Sequence, residues 1–153
     1  MREPNTKDLI KLKGTDPVLQ RIILRAISLS PVDFIIVQGL REDAEQWKLY
    51  EEGKATRTLN SLHLIGRAVD LGAMVQKRLS WDPVFYPVLA KAVAEAAAEA
   101  KQPVRWGGCW KELPWPCTVS DLRRMLDDYA LWCKAKNKKP FLDLGHFEIP
   151  RDK

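Results

Sequence analysis

His63 and His146 are the only two histidines in a chain of 153 residues, and each has carboxylates close by. His63 stands in the stretch Ser61-Leu-His-Leu-Ile-Gly-Arg-Ala-Val-Asp70, which is too apolar for an ordinary surface loop. His146 lies between Asp143 and Glu148. A hydrolytic zinc ion takes three protein ligands from histidine and carboxylate and keeps a fourth position for water; His63, Asp70 and His146 could supply that set. A general base must then take a proton from water and pass it to the leaving amine. Asp143, three residues before His146, is placed for this. Glu148 competes for the role, because two residues along an extended strand bring a side chain back to the same face. Spacing alone leaves blander readings open: a hydrogen-bonded structural histidine, a turn or cap carboxylate at Asp70, and no tight His-Glu-x-x-His motif.

The elements that must carry these residues are readable from the patterning. Asp16-Pro17 followed by Val18, Leu19, Ile22, Ile23, Ala26 and Ile27 predicts a capped helix ending near Ser30-Pro31. Phe34 to Val37 reads as a buried strand that delivers Gly39-Leu40-Arg41 to its end. A second helix is expected from Glu42 to Glu52, stopped by Gly53, and a polar loop from Lys54 to Asn60. Arg67 to Gly72 alternates as a strand with Ala68 and Asp70 on one face. For His63 and Asp70 to converge, Gly66 must let the chain fold back. An alanine-rich helix covers Pro87 to Lys101, Val104 to Trp106 is a short strand, and a helix capped at Thr118 or Ser120 carries Leu122, Met125, Leu126, Tyr129 and Trp132. After a basic linker from Lys136 to Pro140, Phe141 to Ile149 forms a turn and strand. Helices interspersed with short strands, without regular βαβ alternation, give an α+β fold in one domain spanning 1–153.

Composition narrows the class without choosing a function. The chain is 46% hydrophobic and 29% charged, lacks any apolar run of membrane-spanning length, and begins without the apolar core of a signal peptide. A net charge of +5 suits an anionic partner, whether nucleic acid, membrane face or cell-wall polymer. Cys109, Cys117 and Cys133 are not spaced as a zinc knuckle. Cys109 and Cys117 could close a disulfide in an oxidising compartment; free buried thiols are the alternative.

The motif Ser61-x-His63-x-x-Gly66-x-Ala68-x-Asp70, with Trp106-Gly107-Gly108 and Asp143-x-x-His146 downstream, resembles the D-alanyl-D-alanine carboxypeptidase and dipeptidase superfamily of zinc metallopeptidases. The similarity runs from about Val37 to Glu148 and is closest to the L-alanyl-D-glutamate peptidase branch, phage endolysins that cut peptidoglycan stem peptides. The resemblance implies a small antiparallel sheet flanked by helices, as in hedgehog and D,D-peptidase folds. By the same resemblance His63, Asp70 and His146 hold Zn2+, Asp143 is the base, and Ser61 and Gly66 shape the metal loop. Gly39-x-Arg41 matches a strand-end arginine that holds a substrate carboxylate or the oxyanion; a surface ion pair with Glu42 or Glu45 is the other reading of Arg41. One departure is Cys109, standing where many relatives carry an aspartate after Trp-Gly-Gly.

The expected activity is zinc-dependent hydrolysis of the L-alanyl-D-glutamate bond, with Ser61, Trp106 and Trp110 lining the substrate cleft and Trp115 as a further wall. These tryptophans also suit a core. The implied partner is the peptidoglycan stem peptide, with no nucleic acid, no stable membrane insertion and a monomeric enzyme. Such an endolysin is made in the host cytoplasm and reaches periplasmic peptidoglycan after holin-dependent release. A D,D-carboxypeptidase or D,D-dipeptidase with the same metal set, and a basic wall-binding or nucleic-acid-binding module without catalysis, are the rival readings.

Overall fold

The structure, a computed structural model, describes residues 2–39 and 66–150. The helix expected from Glu42 to Glu52, the loop after it, and Arg41, Ser61 and His63 all lie outside the described residues.

The chain enters through helix α1, Thr6–Leu12, whose Asn5 cap and Asp8 bond each other's backbone N–H groups in a capping box. Helix α2, Pro17–Leu29, starts as the sequence predicts, with Asp16 accepting from Val18 and Leu19 and proline in the first turn. Its stripe of Leu19, Ile22, Ile23, Ala26 and Ile27 is buried. Helix α3, Tyr86–Glu99, follows a 3-10 turn at Pro83–Phe85, and helix α4, Val119–Ala135, is opened by a second capping box between Thr118 and Asp121.

Strands β1 (Asp33–Gln38), β2 (Ala68–Val75), β3 (Arg78–Ser80), β4 (Arg105–Trp106), β5 (Lys111–Glu112) and β6 (His146–Glu148) form one antiparallel sheet. Its order is β1-β2-β6-β4-β5, with β3 pairing the far end of β2. The α+β architecture expected from the sequence is therefore the one observed.

Register decides what each side of this sheet does. Phe34 faces Ala73, Ile36 faces Leu71, Val69 faces Phe147, and Trp106 faces Phe147 from the opposite edge of β6. These side chains are buried in one core with Leu19, Ile22, Ile23, Leu89 and Val93 of the helices. The alternate residues are out of phase with that core: Asp70 is paired with His146, and Glu148 has Ala68 on one side and Arg105 on the other. Because the strand period is two, a one-residue slip would put the polar set into the core, so burial of Val69, Leu71 and Phe147 also fixes where Asp70 and His146 stand.

Candidate metal and catalytic centre

Asp70 and His146 lie directly across from each other on β2 and β6, although 76 residues separate them in sequence. His146 Nδ1 is 3.0 Å from Asp70 Oδ1 and 3.7 Å from Asp143 Oδ2. One potential ligand atom from each of the three residues lies within 4.8 Å of the others, close enough to share a cation. The histidine side chain is nearly buried at 8% exposure, Asp70 is 19% exposed and Asp143 33%, so the carboxylate expected to move protons is the most open of the three.

A tight turn carries Asp143 to this position. The His146 N–H donates to the Asp143 carbonyl at 3.0 Å, the Asp143 N–H to the Gly107 carbonyl at 3.1 Å, and the Gly107 N–H to the His146 carbonyl at 2.8 Å. These three bonds lock the Asp143–His146 turn to the end of β4. Gly107 is required there by space: a Cβ would stand 2.4 Å from the Asp143 carbonyl oxygen and 2.9 Å from His146 Cβ. Gly66 sits at φ +71° with no room for a side chain, since a Cβ would lie 2.6 Å from the Gly14 carbonyl oxygen. It thus adopts a conformation that glycine tolerates best, just before β2.

The other imidazole nitrogen is held from behind. His146 Nε2 lies 2.5 Å from Glu148 Oε1, and Glu148 in turn accepts from Arg105, with Arg105 Nε at 2.8 Å from Oε2 and a second, very short contact from a terminal guanidinium nitrogen. A carboxylate that accepts the Nε2–H turns Nδ1 toward Asp70 and Asp143, the side on which the three residues could hold a metal, as carboxylates commonly do behind a metal-binding histidine. Burial alone would lower the His146 pKa, but the hydrogen bonds to Asp70 and Glu148 and the nearby Asp143 charge outweigh it and push it up to about 10. For Glu148, burial works upward, yet the bonds from His146 and Arg105 hold it below the ordinary carboxylate value. The raised pKa favours a protonated imidazole between its carboxylates, and a divalent ion held at Nδ1 would have to displace that proton.

Glu148 and Arg105 are the functional positions whose roles the sequence reading missed. Sequence phase places Glu148 on the His146 face, as expected, but its oxygens are committed to His146 and Arg105 and the residue is 5% exposed. A carboxylate so occupied is poorly placed to take a proton from water. Arg105 left one usable signal, its position one residue before Trp106 in a strand, which puts it on the polar face, opposite the core side that Trp106 faces.

The tryptophans divide. Trp106 is fully buried, and its indole N–H donates to the Leu144 carbonyl at 2.7 Å. The expectation that it lines the substrate cleft is corrected by strand phase: Trp106 pairs with Phe147 on the core side, and it supports the Asp143–His146 turn from within. Trp110 lies beside His146, its ring 5.4 Å from the His146 ring and stacked on Phe141 at 5.7 Å. Trp115 is 41% exposed. Cys109, Cys117 and Cys133 are buried and unbridged, and burial raises the Cys109 thiol pKa, as expected of an inert packing residue.

Fold and site together define an α+β protein in which an imidazole and two carboxylates converge closely enough that they could hold a divalent cation. Comparison with known proteins gives the class a family. The chain belongs to the phage L-alanyl-D-glutamate peptidase family, which it matches over residues 5–126. It is 32% identical over 104 residues to the L-alanyl-D-glutamate peptidase of Escherichia phage T5, a match covering 65% of this chain and 75% of that protein. Its fold is similar to the crystal structure of the Serratia marcescens L-Ala D-Glu endopeptidase ChiX, with a TM-score of 0.74 and 30% identity over 97% of this chain and 90% of the other. The family match ends before Asp143, whereas the structural similarity spans nearly the whole chain.

Proposed function

We propose that this protein is a phage-type endolysin, a zinc-dependent endopeptidase that hydrolyses the L-alanyl-D-glutamate bond of peptidoglycan stem peptides and so lyses the host cell. The observation that carries the reading is the convergence of Asp70, Asp143 and His146 on one face of the sheet, in a member of this peptidase family. The donor set suits zinc: an imidazole whose far nitrogen is fixed by Glu148, and an oxygen from Asp70 at hydrogen-bond distance from the near one. On this reading His63 joins Asp70 and His146 as the third ligand, and Asp143 remains free of the metal.

Bound zinc supplies Lewis-acid polarisation of the scissile carbonyl and makes water easier to deprotonate. Asp143, the most open carboxylate of the cluster, takes the proton from the attacking water and returns it to the departing amine of D-glutamate. The backbone bonds that Asp143 donates to Gly107 and accepts from His146 hold it in place while its side chain works. Arg41 steadies a substrate carboxylate or the developing oxyanion through its planar fork. Trp110 forms a wall for the peptide beside His146, and Ser61 lies with His63 on the metal loop.

The family supports L-alanyl-D-glutamate specificity over a D,D-carboxypeptidase or D,D-dipeptidase with the same metals, and a catalytic centre of this geometry disfavours a binding module. No helix among the described residues is long and apolar enough to cross a membrane. The proposed life of the protein is that of a single-domain monomer made in the host cytoplasm and given access to peptidoglycan by a holin. Digestion of purified peptidoglycan, with and without chelator, followed by mass spectrometry of the fragments tests the reading. New N-terminal D-glutamate that disappears with chelator supports it; release of D-alanine overturns it.

A further inference from the structure

The C-terminal end of helix α4 exposes both apolar and basic side chains. Leu131 is 64% exposed and Trp132 51%, next to Lys134, Lys136, Lys138 and Lys139. No acidic residue occurs between Ala130 and Leu142; Asp127 and Asp128 bound the segment on one side and Asp143 on the other. Lys134, Lys138 and Lys139 line a shallow hollow of about 490 Å³ that reaches from Ala130 to Pro140. Lys138 Nζ stands over the Trp132 ring, 5.5 Å from its centroid.

This patch is physically continuous with the catalytic centre. Trp132 stacks on Tyr129 with centroids 6.4 Å apart, and Tyr129 Oη accepts from the Phe141 N–H at 3.1 Å. Phe141 stacks on Trp110 at 5.7 Å, and Trp110 lies 5.4 Å from the His146 ring. Aromatic side chains therefore line a path from His146 to the lysines. The substrate of the proposed reaction is a polymer of sugars and carboxylate-bearing peptides. Flat aromatic faces suit the sugars, and lysines pair with carboxylates.

We propose that the strip from Trp110 to Trp132, with Lys134, Lys138 and Lys139 at its outer end, is a second binding surface for polymeric peptidoglycan, holding strand next to the stem peptide that is cut. The proposal rests on the peptidase reading above. An anionic bilayer would also attract exposed tryptophan and lysine, but the continuity of the rings with His146 favours the substrate polymer. A surface of this kind raises the local concentration of scissile bonds without contacting the reacting atoms.

Two variants test it, Trp132→Ala and the triple charge neutralisation Lys134→Gln, Lys138→Gln, Lys139→Gln. Each is assayed on insoluble peptidoglycan sacculi and on a soluble free stem peptide. Sedimentation with sacculi, and with vesicles of phosphatidylglycerol and phosphatidylethanolamine, measures binding. The expected result is a fall of about tenfold in turnover and binding on sacculi, with kcat/KM on the free peptide unchanged and the sacculus binding of the parent protein weakened by salt. Equal losses on both substrates would make the patch part of the fold or of the catalytic site and overturn the proposal. So would unchanged activity and binding on sacculi, or lost vesicle binding with sacculus binding intact. If the parent protein cuts neither substrate, the peptidase reading fails, and binding to sacculi by parent and variants still decides the fate of the patch.

Discussion

The two faces of the sheet are built from alternate residues of the same strands, yet they are held by different physics. On one face Val69, Leu71, Phe147 and Trp106 are fully buried, and their positions follow from removing apolar area from water. On the other, Asp70, His146, Glu148 and Arg105 form a chain of charge-assisted hydrogen bonds, with Asp143 joining it from the adjoining turn. Non-directional burial is tolerant of exchange, whereas a partly buried ionic network depends on every member. The core sets the register, and the register delivers the chemistry.

The sharpest way to separate the faces is Asp143→Ala. It should lower kcat by about 10²–10⁴-fold, the range for loss of a general base, while the unfolding midpoint and the zinc content stay close to those of the parent. Loss of zinc along with activity would make Asp143 a ligand instead of the base. Trp106→Ala probes the opposite face and should cost about 3–5 kcal/mol of stability, as for other large-to-small core changes, read by denaturant unfolding. Its activity per folded molecule should fall less than that of Asp143→Ala, because the reacting groups remain.

Glu148→Gln should reduce metal affinity or activity by about 10–100-fold, the usual range for a carboxylate behind a ligating histidine. A loss as deep as that of Asp143→Ala would instead assign the proton transfer to Glu148. The smallest effect is expected far from the centre, where Arg2 binds Asp8 at 2.7 Å and ties α1 to β1 through Asp33 and the Phe34 carbonyl. Burial works to raise the Asp8 pKa, but the bonds from Arg2 and the Asn5 backbone leave it lowered in the folded protein. A lowered carboxylate stabilises fully above its unfolded value near 3.9 and loses that contribution as pH falls through the folded value. Asp8→Asn should therefore cost about 1 kcal/mol at neutral pH and flatten the acid limb of the stability profile, leaving peptidase activity untouched.

Much of this contrast was legible in the sequence, for identifiable reasons. Asp16-Pro17 and Thr118 announced helices because caps and first-turn proline act locally. The alternation at Arg67 to Gly72 placed Ala68 and Asp70 together because strand phase is a local property as well. What escaped was non-local or chemically unmarked. Spacing alone does not state that Asp70 pairs with His146 across 76 residues; it was the donor types and the family resemblance that brought the two together as expected ligands. Strand β3 was missed because its hairpin turns on Gln76 and Lys77, both at positive φ, where asparagine or glycine would have signalled a turn. Strand β5 consists of Lys111 and Glu112, too short and too charged to read as a strand. Helix α1 carried a readable Asn5-x-x-Asp8 box, but Leu9 and Ile10 are exposed and so leave no clear apolar stripe. Trp106 was ambiguous until the register of β4 against β6 set it on the core side.

The proposed chemistry requires that the polar face hold zinc through Asp70 and His146. Calorimetric titration of metal-free protein with zinc at pH 7, repeated in buffers of different ionisation enthalpy and on Asp70→Ala, measures this directly. The predicted result is one zinc per chain, with a proton released from His146 as the metal takes its place, and binding severely weakened in Asp70→Ala. Failure to bind zinc, or binding that is indifferent to Asp70, would contradict it.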